Sequence, residues 1–463
     1  MCCVAIYTLG CKLNQLESEA IAGSFNDAGF NIIPFGIEKI EPDIIIINTC
    51  TVTSKAEQKA RRVIRKALRE NPKSLVIVTG CYAQLDKEEI ELLARDEAVE
   101  RLYICGIGSP GSGTAKSSLL ELPEKLRNNS YLHLSVMNFK QNENGNNPFN
   151  YLPCEFHAHS RGYLKIQDGC NSNCTFCRTR LARGRGISID PKEALQQLLF
   201  LEKNGCAELM LTGVNITQYN HNGKDFAGIL HYLLDNSKTI NLRLSSLEPD
   251  GINKNLIDII KHPRIRPHFH ISIQSGSANI LKNMGRVYNP QEAQECITLL
   301  RNSKDNPFIA CDIISGFPGE SKEDFNQTYD FCIRNNFAWI HAFTFSKRKG
   351  TFAYSLKNHV CEKEAAERTA LLTKLAIKGK TEYVRSWLGK ELNAIVEKSG
   401  RYKNGLIDQN TWIKAVSENY LKILVNYTGE KPYCGSAIKC RLVSLCEGTS
   451  EKKPDGIAQL ISP

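Results

Sequence analysis

The chain has 463 residues, 42% hydrophobic and 23% charged, with a formal charge of +10. That composition is ordinary for a globular protein of about two to four domains. The longest apolar run, around Ile44–Ile47, is strand-sized. No run is long enough to span a bilayer and no signal-peptide pattern leads the chain, so a cytoplasmic protein without a membrane partner is expected.

Residues 1–106 alternate apolar strands with amphipathic helices. Strands are predicted at Val4–Leu9, Asn31–Pro34, Asp43–Thr49, Leu75–Thr79 and Leu102–Cys105, and helices near Gln15–Ala28, Lys55–Arg69 and Lys87–Leu93. Apolar strands joined by helices make a parallel sheet covered on both faces. A doubly wound α/β domain is therefore predicted over residues 1–125. Gly106–Ser118 is rich in Gly and Ser but lacks the Gly-Lys-Ser/Thr that closes a P-loop. Asn-rich Lys140–Pro153 places a linker at 126–155.

Residues 156–386 repeat strand then helix. Strands are predicted to end near Gln167, Thr212, Leu244, Ile273, Ile314 and Phe345, with helices near Pro191–Lys203, Phe226–Leu234, Asn253–Lys261, Pro290–Arg301, Lys322–Asn335 and after Glu362. Six such units suit a partial or closed (β/α)6 barrel, with a doubly wound sheet as the alternative. After Leu388 come short β runs at Leu392–Glu397, Trp412–Val416, Leu421–Asn426 and Ala437–Cys446. They read as a small β-barrel over 387–455.

Eighteen cysteines is a high count for a compartment that disfavours disulfides. Cys206, Cys296, Cys311 and Cys332 lie in apolar patterns and read as small core residues. Cys170, Cys174 and Cys177 form Cys-x3-Cys-x2-Cys just after the first barrel strand. Three thiolates in one loop can hold three irons of a 4Fe–4S cube and leave the fourth open. A zinc site would want a fourth ligand nearby. The loop lies at the C-terminal end of a barrel strand, where such barrels place their active sites. Polar residues follow the other strands: Thr212, Gly213 and Asn215; Ser245, Ser246 and Glu248; Gln274, Ser275 and Ser277; Gly316, Pro318, Gly319 and Glu320; Ser346 and Arg348. In the first domain Cys11, Cys50 and Cys81 each follow a strand, as Gly10-Cys11, Thr49-Cys50 and Gly80-Cys81. Strand ends of an open parallel sheet share one crevice, so these three are expected to meet and hold a second cluster. Cys105 also ends a strand but lacks such a turn.

At these residues the sequence resembles the methylthiotransferase family of radical S-adenosylmethionine (SAM) enzymes over nearly its whole length. The resemblance runs through Thr8–Ser18, Asn48–Thr53 and Val78–Gln84, then Lys165–Cys177, Leu211–Asn215, Leu244–Pro249, Ser272–Ser277, Asp312–Glu320 and Phe345–Thr351. It continues into a C-terminal TRAM-like barrel from Leu388 through Glu418-Asn419-Tyr420. Lys12, Asn14-Gln15 and Thr51-Val52-Thr53 look most like the branch acting on threonylcarbamoyladenosine in tRNA. Arg178, Thr179 and Arg180 depart from the family, which more often has two apolar residues and a proline there.

The resemblance implies two 4Fe–4S clusters. The one on Cys170, Cys174 and Cys177 would bind and reductively cleave SAM, and the one on Cys11, Cys50 and Cys81 would carry the sulfur. Thr212, Gly213, Ser245, Glu248, Gln274 and Gly316 are the candidates to hold SAM. The implied partners are tRNA, an external electron donor and a sulfur source. Basic and aromatic residues of the small barrel (Lys398, Arg401, Tyr402, Lys403, Trp412, Lys414, Tyr420 and Lys422) are candidates to touch RNA. The competing readings are the same chemistry on isopentenyladenosine tRNA or on a ribosomal protein, a non-catalytic iron–sulfur electron carrier, and a zinc-dependent RNA-binding protein.

Overall fold

A computed structural model of the chain describes residues 2–36, 40–94, 100–108, 116–128, 147–151, 161–397, 412–427, 429–446 and 453–462. Most of the expected linker lies outside these residues, as do Lys398, Arg401, Tyr402 and Lys403.

The first domain is a five-stranded parallel sheet of β1 (Cys3–Thr8), β2 (Asn31–Pro34), β3 (Ile44–Thr49), β4 (Leu75–Gly80) and β5 (Leu102–Cys105), in the order β2-β1-β3-β4-β5. Strand side chains alternate between faces, and both faces are apolar. Ile45, Ile47, Val76 and Val78 pack on helix α2 (Ser54–Glu70) through Val63, Ile64 and Leu68. Ile44, Ile46 and Ile77 pack with Ile21 and Phe25 of helix α1 (Lys12–Asp27). Cys105 belongs to that second core. The strand order reverses between β1 and β3, and such a switch point opens a crevice at the C-terminal strand ends. Cys11 and Cys50 follow those two strands.

Six parallel strands form the central domain: β6 (Gly162–Lys165), β7 (Glu208–Thr212), β8 (Asn241–Leu244), β9 (His268–Gln274), β10 (Phe308–Ser315) and β11 (Trp339–Thr344). They pair as β6-β7-β8 and β9-β10-β11, and a parallel bridge between Leu247 and Ile271 joins the halves. Among the described residues no ladder joins β11 back to β6, so the barrel is partial. Leu16 and Ala20 of α1 pack on Tyr163 and Met210 of the barrel. A hairpin at Asn220–His221 and Lys224–Asp225 turns through Asn222 (φ 50°) and Gly223 (φ 83°), the left-handed pair that Asn-Gly supplies.

The C-terminal domain is a closed barrel of β12 (Glu391–Val396), β13 (Trp412–Ser417), β14 (Lys422–Asn426), β15 (Ala437–Leu445) and β16 (Gly456–Ser462). The fifth strand, β16, has no counterpart among the predicted runs and lies wholly beyond residue 455, the expected end of the barrel. It closes the barrel by pairing parallel to β14 and antiparallel to β15.

A buried ionic joint ties this barrel to the central one. Glu208, 1% exposed, meets Arg243 at 2.7 Å and Arg266 at 2.9 Å. Arg243 also donates to the Ser417 carbonyl at 3.1 Å. Tyr420, a residue with φ 68°, packs against His268 with the rings tilted at 32° and centroids 4.1 Å apart, and lies under Arg243 at 5.1 Å and Arg161 at 5.6 Å. It anchors a domain junction rather than lining an open RNA-binding face. Burial alone would raise the Glu208 carboxyl, but Arg243, Arg161 and Arg266 outweigh it and hold it down at about 2. A depressed carboxylate stabilises above its unfolded value and loses that contribution as pH falls through the folded one. Glu208→Ala strands buried arginines without their anion. It is expected to cost about 3–5 kcal/mol, measured as a lowered unfolding midpoint and as proteolytic release of the C-terminal barrel. Wild-type stability should fall between about pH 4 and pH 2 through the same group.

Candidate active site

The first triad is built by glycine turns. Gly10, at φ 103°, directs the chain so that Cys11 caps α1, and a Cβ there would lie 2.7 Å from the Cys50 sulfur. Gly80, at φ 99°, precedes Cys81, the first residue of helix α3 (Cys81–Leu85), and a Cβ there would strike the Thr49 carbonyl at 2.2 Å. Buried amides set the strand ends. Asn14 donates to the Leu9 and Thr49 carbonyls at 2.8 and 3.0 Å, and Asn48 donates to the Asn14 carbonyl at 2.9 Å. The three cysteines lie close enough to interact electrostatically. Burial first, then the Cys11 and Cys81 thiols, push the Cys50 thiol up to about 12. Cys11 is exposed in the crevice, whereas Cys50 and Cys81 are buried.

The second triad sits on the loop after β6. Gly169 (φ 67°) lets the loop pass the Arg185 carbonyl, which a Cβ would meet at 2.0 Å. Gln218 receives the Asn171 amide at 2.9 Å and donates to Ser172 Oγ at 2.8 Å. Thr175 donates its amide to the Met284 carbonyl at 2.9 Å. Behind the loop Phe176 meets Phe317 edge-on at 6.4 Å, in a cluster with Ile280, Met284 and Ala353. Arg286 donates to Cys174 Sγ at 3.4 Å and pairs with Glu248 at 2.9 Å. Burial pushes the Glu248 carboxyl up to about 7 although Arg286 opposes it. The sequence reading missed Gln218 and Arg286, because each reaches the loop from a distant turn.

The other strand-end candidates separate. Glu248 approaches Cys174 through Arg286. A Cβ on Gly213 would crowd Gln167, whose Oε1 receives the Asn215 amide at 2.8 Å. Gln274 ends β9 at φ 67°, a costly conformation for a residue with a side chain. Thr212 and Ser245 are buried at their strand ends. Gly316 faces helix α4 (Glu362–Arg385): a Cβ would lie 2.5 Å from Ala365 Cβ, and its amide donates to Glu320 at 2.7 Å.

Two ionic clamps bring the triads together. In the first, Arg183 donates to Glu17 at 3.0 Å and to Asp168 at 3.1 Å, while Lys165 meets Asp168 at 2.6 Å and Glu17 at 3.4 Å. Lys116 completes the set through Glu17. All five are buried, and Arg183 acts electrostatically on Cys11 and Cys81. In the second, Arg178 pairs with Glu57 at 2.7 Å and Asp86 at 2.9 Å, and Arg348 donates to Thr51 Oγ1 at 2.7 Å and pairs with Glu57. The family departure at Arg178 is thus a domain clamp. Arg348 is 3% exposed, with Nε and Nη1 unpaired.

These surroundings suit iron–sulfur ligation. The amides of Val52 and Ser172 donate to the Cys50 and Cys170 sulfurs at 3.4 Å each, and hydrogen bonds to sulfur are what such clusters receive. Arg183, Arg348 and Arg286 supply positive charge beside the thiols, which opposes but does not overcome the burial that pushes Cys11, Cys50 and Cys174 up. Among the described residues no three His, Cys, Asp or Glu side chains are placed to hold one metal ion. A cluster asks less, since each iron takes a single thiolate.

No helix among the described residues is long and apolar enough to cross a membrane. The family model described as uncharacterized protein family UPF0004 matches residues 3–100, and that of the radical SAM superfamily matches residues 164–332. The threonylcarbamoyladenosine tRNA methylthiotransferase MtaB of Treponema pallidum is 36% identical, over 95% of this chain and 98% of the relative. The protein of the same name from Aquifex aeolicus is 33% identical over 91% and 96%. The tRNA-2-methylthio-N(6)-dimethylallyladenosine synthase of Alkaliphilus oremlandii is 29% identical over 95% and 89%. Full-length similarity at this level, on a fold that sets a cysteine-bearing parallel sheet against a radical SAM barrel, places the chain in the MtaB family of threonylcarbamoyladenosine tRNA methylthiotransferases.

Proposed function

We propose that the protein replaces the C2 hydrogen of N6-threonylcarbamoyladenosine, at position 37 beside the anticodon of tRNA, with a methylthio group. The observation that carries this reading is the pair of cysteine triads set across one buried interface by Arg183, Arg178 and Arg348. With SAM bound to it, a 4Fe–4S cluster on Cys170, Cys174 and Cys177 would supply the electron that cleaves SAM to a 5′-deoxyadenosyl radical, which would take the C2 hydrogen and leave as 5′-deoxyadenosine; a second cluster on Cys11, Cys50 and Cys81 would carry the sulfur, whose methyl would come from another SAM, released as S-adenosylhomocysteine. The electrons and the sulfur come from outside the chain.

The chain's own residues position and shield. Thr212, Gly213, Ser245, Glu248, Gln274 and Gly316 are assigned to hold SAM at the barrel mouth. Arg286 ties Glu248 to Cys174, so its charge serves the sulfur and the carboxylate together. The apolar cluster around Phe176 and Phe317 keeps water from behind the loop, which protects a reactive radical. Arg183 and Arg178 hold the sulfur-bearing domain against the barrel, so that the activated adenosine and the sulfur meet without diffusion.

Mass spectrometry of tRNA nucleosides from cells lacking the protein tests the reading. The 2-methylthio form of threonylcarbamoyladenosine should disappear, with its unmethylthiolated precursor accumulating in its place. Loss of methylthio-dimethylallyladenosine instead, or an unchanged nucleoside profile, would overturn it.

A further inference from the structure

Helix α2 is charged in a way its own domain does not need. Its 17 residues carry seven Lys and Arg against two Glu, a net charge of +5 out of the chain's +10. The inner face is apolar and packs on the sheet through Val63, Ile64 and Leu68. Glu57 turns inward to Arg178 and Arg348, which leaves the outer face basic. Lys55, Lys59, Arg62, Arg65, Lys66 and Arg69 are all exposed, and their three- and four-residue spacing sets them in one stripe. Glu70, at the far end, pairs with Lys66 at 3.6 Å and Arg69 at 2.9 Å. Among the described residues Lys55, Lys59, Arg62 and Arg65 have no acidic side chain within ion-pair distance. Lys59 lies over the Tyr7 ring of the same domain at 5.9 Å, but like charges three and four residues apart destabilise a helix, so folding alone gives no reason for the rest of the stripe.

Its place in the fold supplies one. The helix starts at Thr53 and Ser54, three residues after Cys50, and the Ser54 amide donates to Ser346 of the barrel mouth at 2.9 Å. From there it runs about 25 Å outward at 1.5 Å per residue. One end of the stripe therefore stands at the crevice between the triads and the other on the outer surface.

We infer that the outer face of α2 is a phosphate-binding track for the RNA flanking the target base, carrying the strand away from the crevice. The inference rests on the tRNA substrate proposed above. A base delivered to the barrel mouth leaves its neighbouring phosphates outside, and an uncompensated cationic stripe starting at that mouth is complementary to them. Basic side chains that neutralise phosphates release condensed counterions, and this makes binding salt-dependent.

The test uses the full-length holoprotein and bulk tRNA from cells lacking it. Lys55→Gln/Lys59→Gln/Arg62→Gln/Arg65→Gln should weaken binding at least about tenfold at physiological salt and lower the slope of log affinity against log salt by about three units. SAM cleavage without tRNA should be unchanged. The charge-keeping variant Lys55→Arg/Lys59→Arg/Arg62→Lys/Arg65→Lys should bind as wild type. In the wild-type protein, tRNA should protect Lys55 and Lys59 from an amine-acylating reagent, a reading independent of how any variant folds. Wild-type affinity and slope in the neutral variant, or unprotected lysines in a protein that binds tRNA, would overturn the track while leaving the tRNA substrate standing. A wild-type protein that neither binds nor modifies tRNA would overturn both.

Discussion

Cys174→Ala is expected to abolish formation of 5′-deoxyadenosine from SAM. The triple change Cys11→Ala/Cys50→Ala/Cys81→Ala should keep that reaction and make no methylthiolated product. The two triads differ in what surrounds them. Cys174 receives a hydrogen bond from Arg286, which also binds the strand-end carboxylate Glu248. The first triad lies on a separate sheet, which meets the barrel through the ionic clamps, the packing of Leu16 and Ala20 on Tyr163 and Met210, and the Ser54–Ser346 hydrogen bond. Reconstituted protein should hold roughly eight irons, four per cube, and the triple variant about half of that. Full iron retention in the triple variant would show that Cys11, Cys50 and Cys81 hold no cluster. Loss of SAM cleavage with the core iron intact would show that the two centres do not divide the work.

Arg183→Met should uncouple the two domains. Arg183 touches both Glu17 and Asp168 inside a network in which no member is more than 8% exposed. Burial would raise both carboxyls, but Arg183, Lys116 and Lys165 hold Glu17 well below the usual range, and Arg183 and Lys165 lower Asp168. Removing one partner of a buried ionic set costs about 3–5 kcal/mol. The change also withdraws the positive charge beside Cys11 and Cys81. Groups that support a metal site from outside its ligands alter activity by about 10–100-fold, and methylthiolation is expected to fall by that much while SAM cleavage persists. Arg183→Lys should restore part of the product but not the bidentate geometry. The wild-type network should weaken as pH drops below about 4, because depressed carboxylates lose their contribution on protonation. A variant that loses stability but not product yield would make Arg183 purely structural.

Much of the architecture follows from local chemistry. The alternation of apolar strands and amphipathic helices specified the sheet and the six barrel units, because each strand buries a face whose period is two and each helix one whose period is 3.6. The Cys-x3-Cys-x2-Cys spacing is a loop property, legible without the fold. Gly10 and Gly80 read as turns, and the structure gives them positive φ against neighbouring backbone and sulfur. The Asn222-Gly223 hairpin was equally local, although its two-residue strands are too short to register as a pattern.

What the sequence by itself determined is the chemistry each segment can offer: thiolates at strand ends, a cationic helix face, and small residues where the backbone turns. Only the tertiary structure decided which of these meet. Arg183 lies 166 positions from Glu17, and Arg348 lies 297 from Thr51; no local pattern encodes such a pair. The same holds for Arg286 on Cys174, for Tyr420 at the domain junction and for β16, whose role is to close a barrel begun 65 residues earlier. The physical reason is that periodicity reports which face is buried, whereas a buried charge finds its counter-charge through chain topology, and the low dielectric of the interior then makes that pairing obligatory.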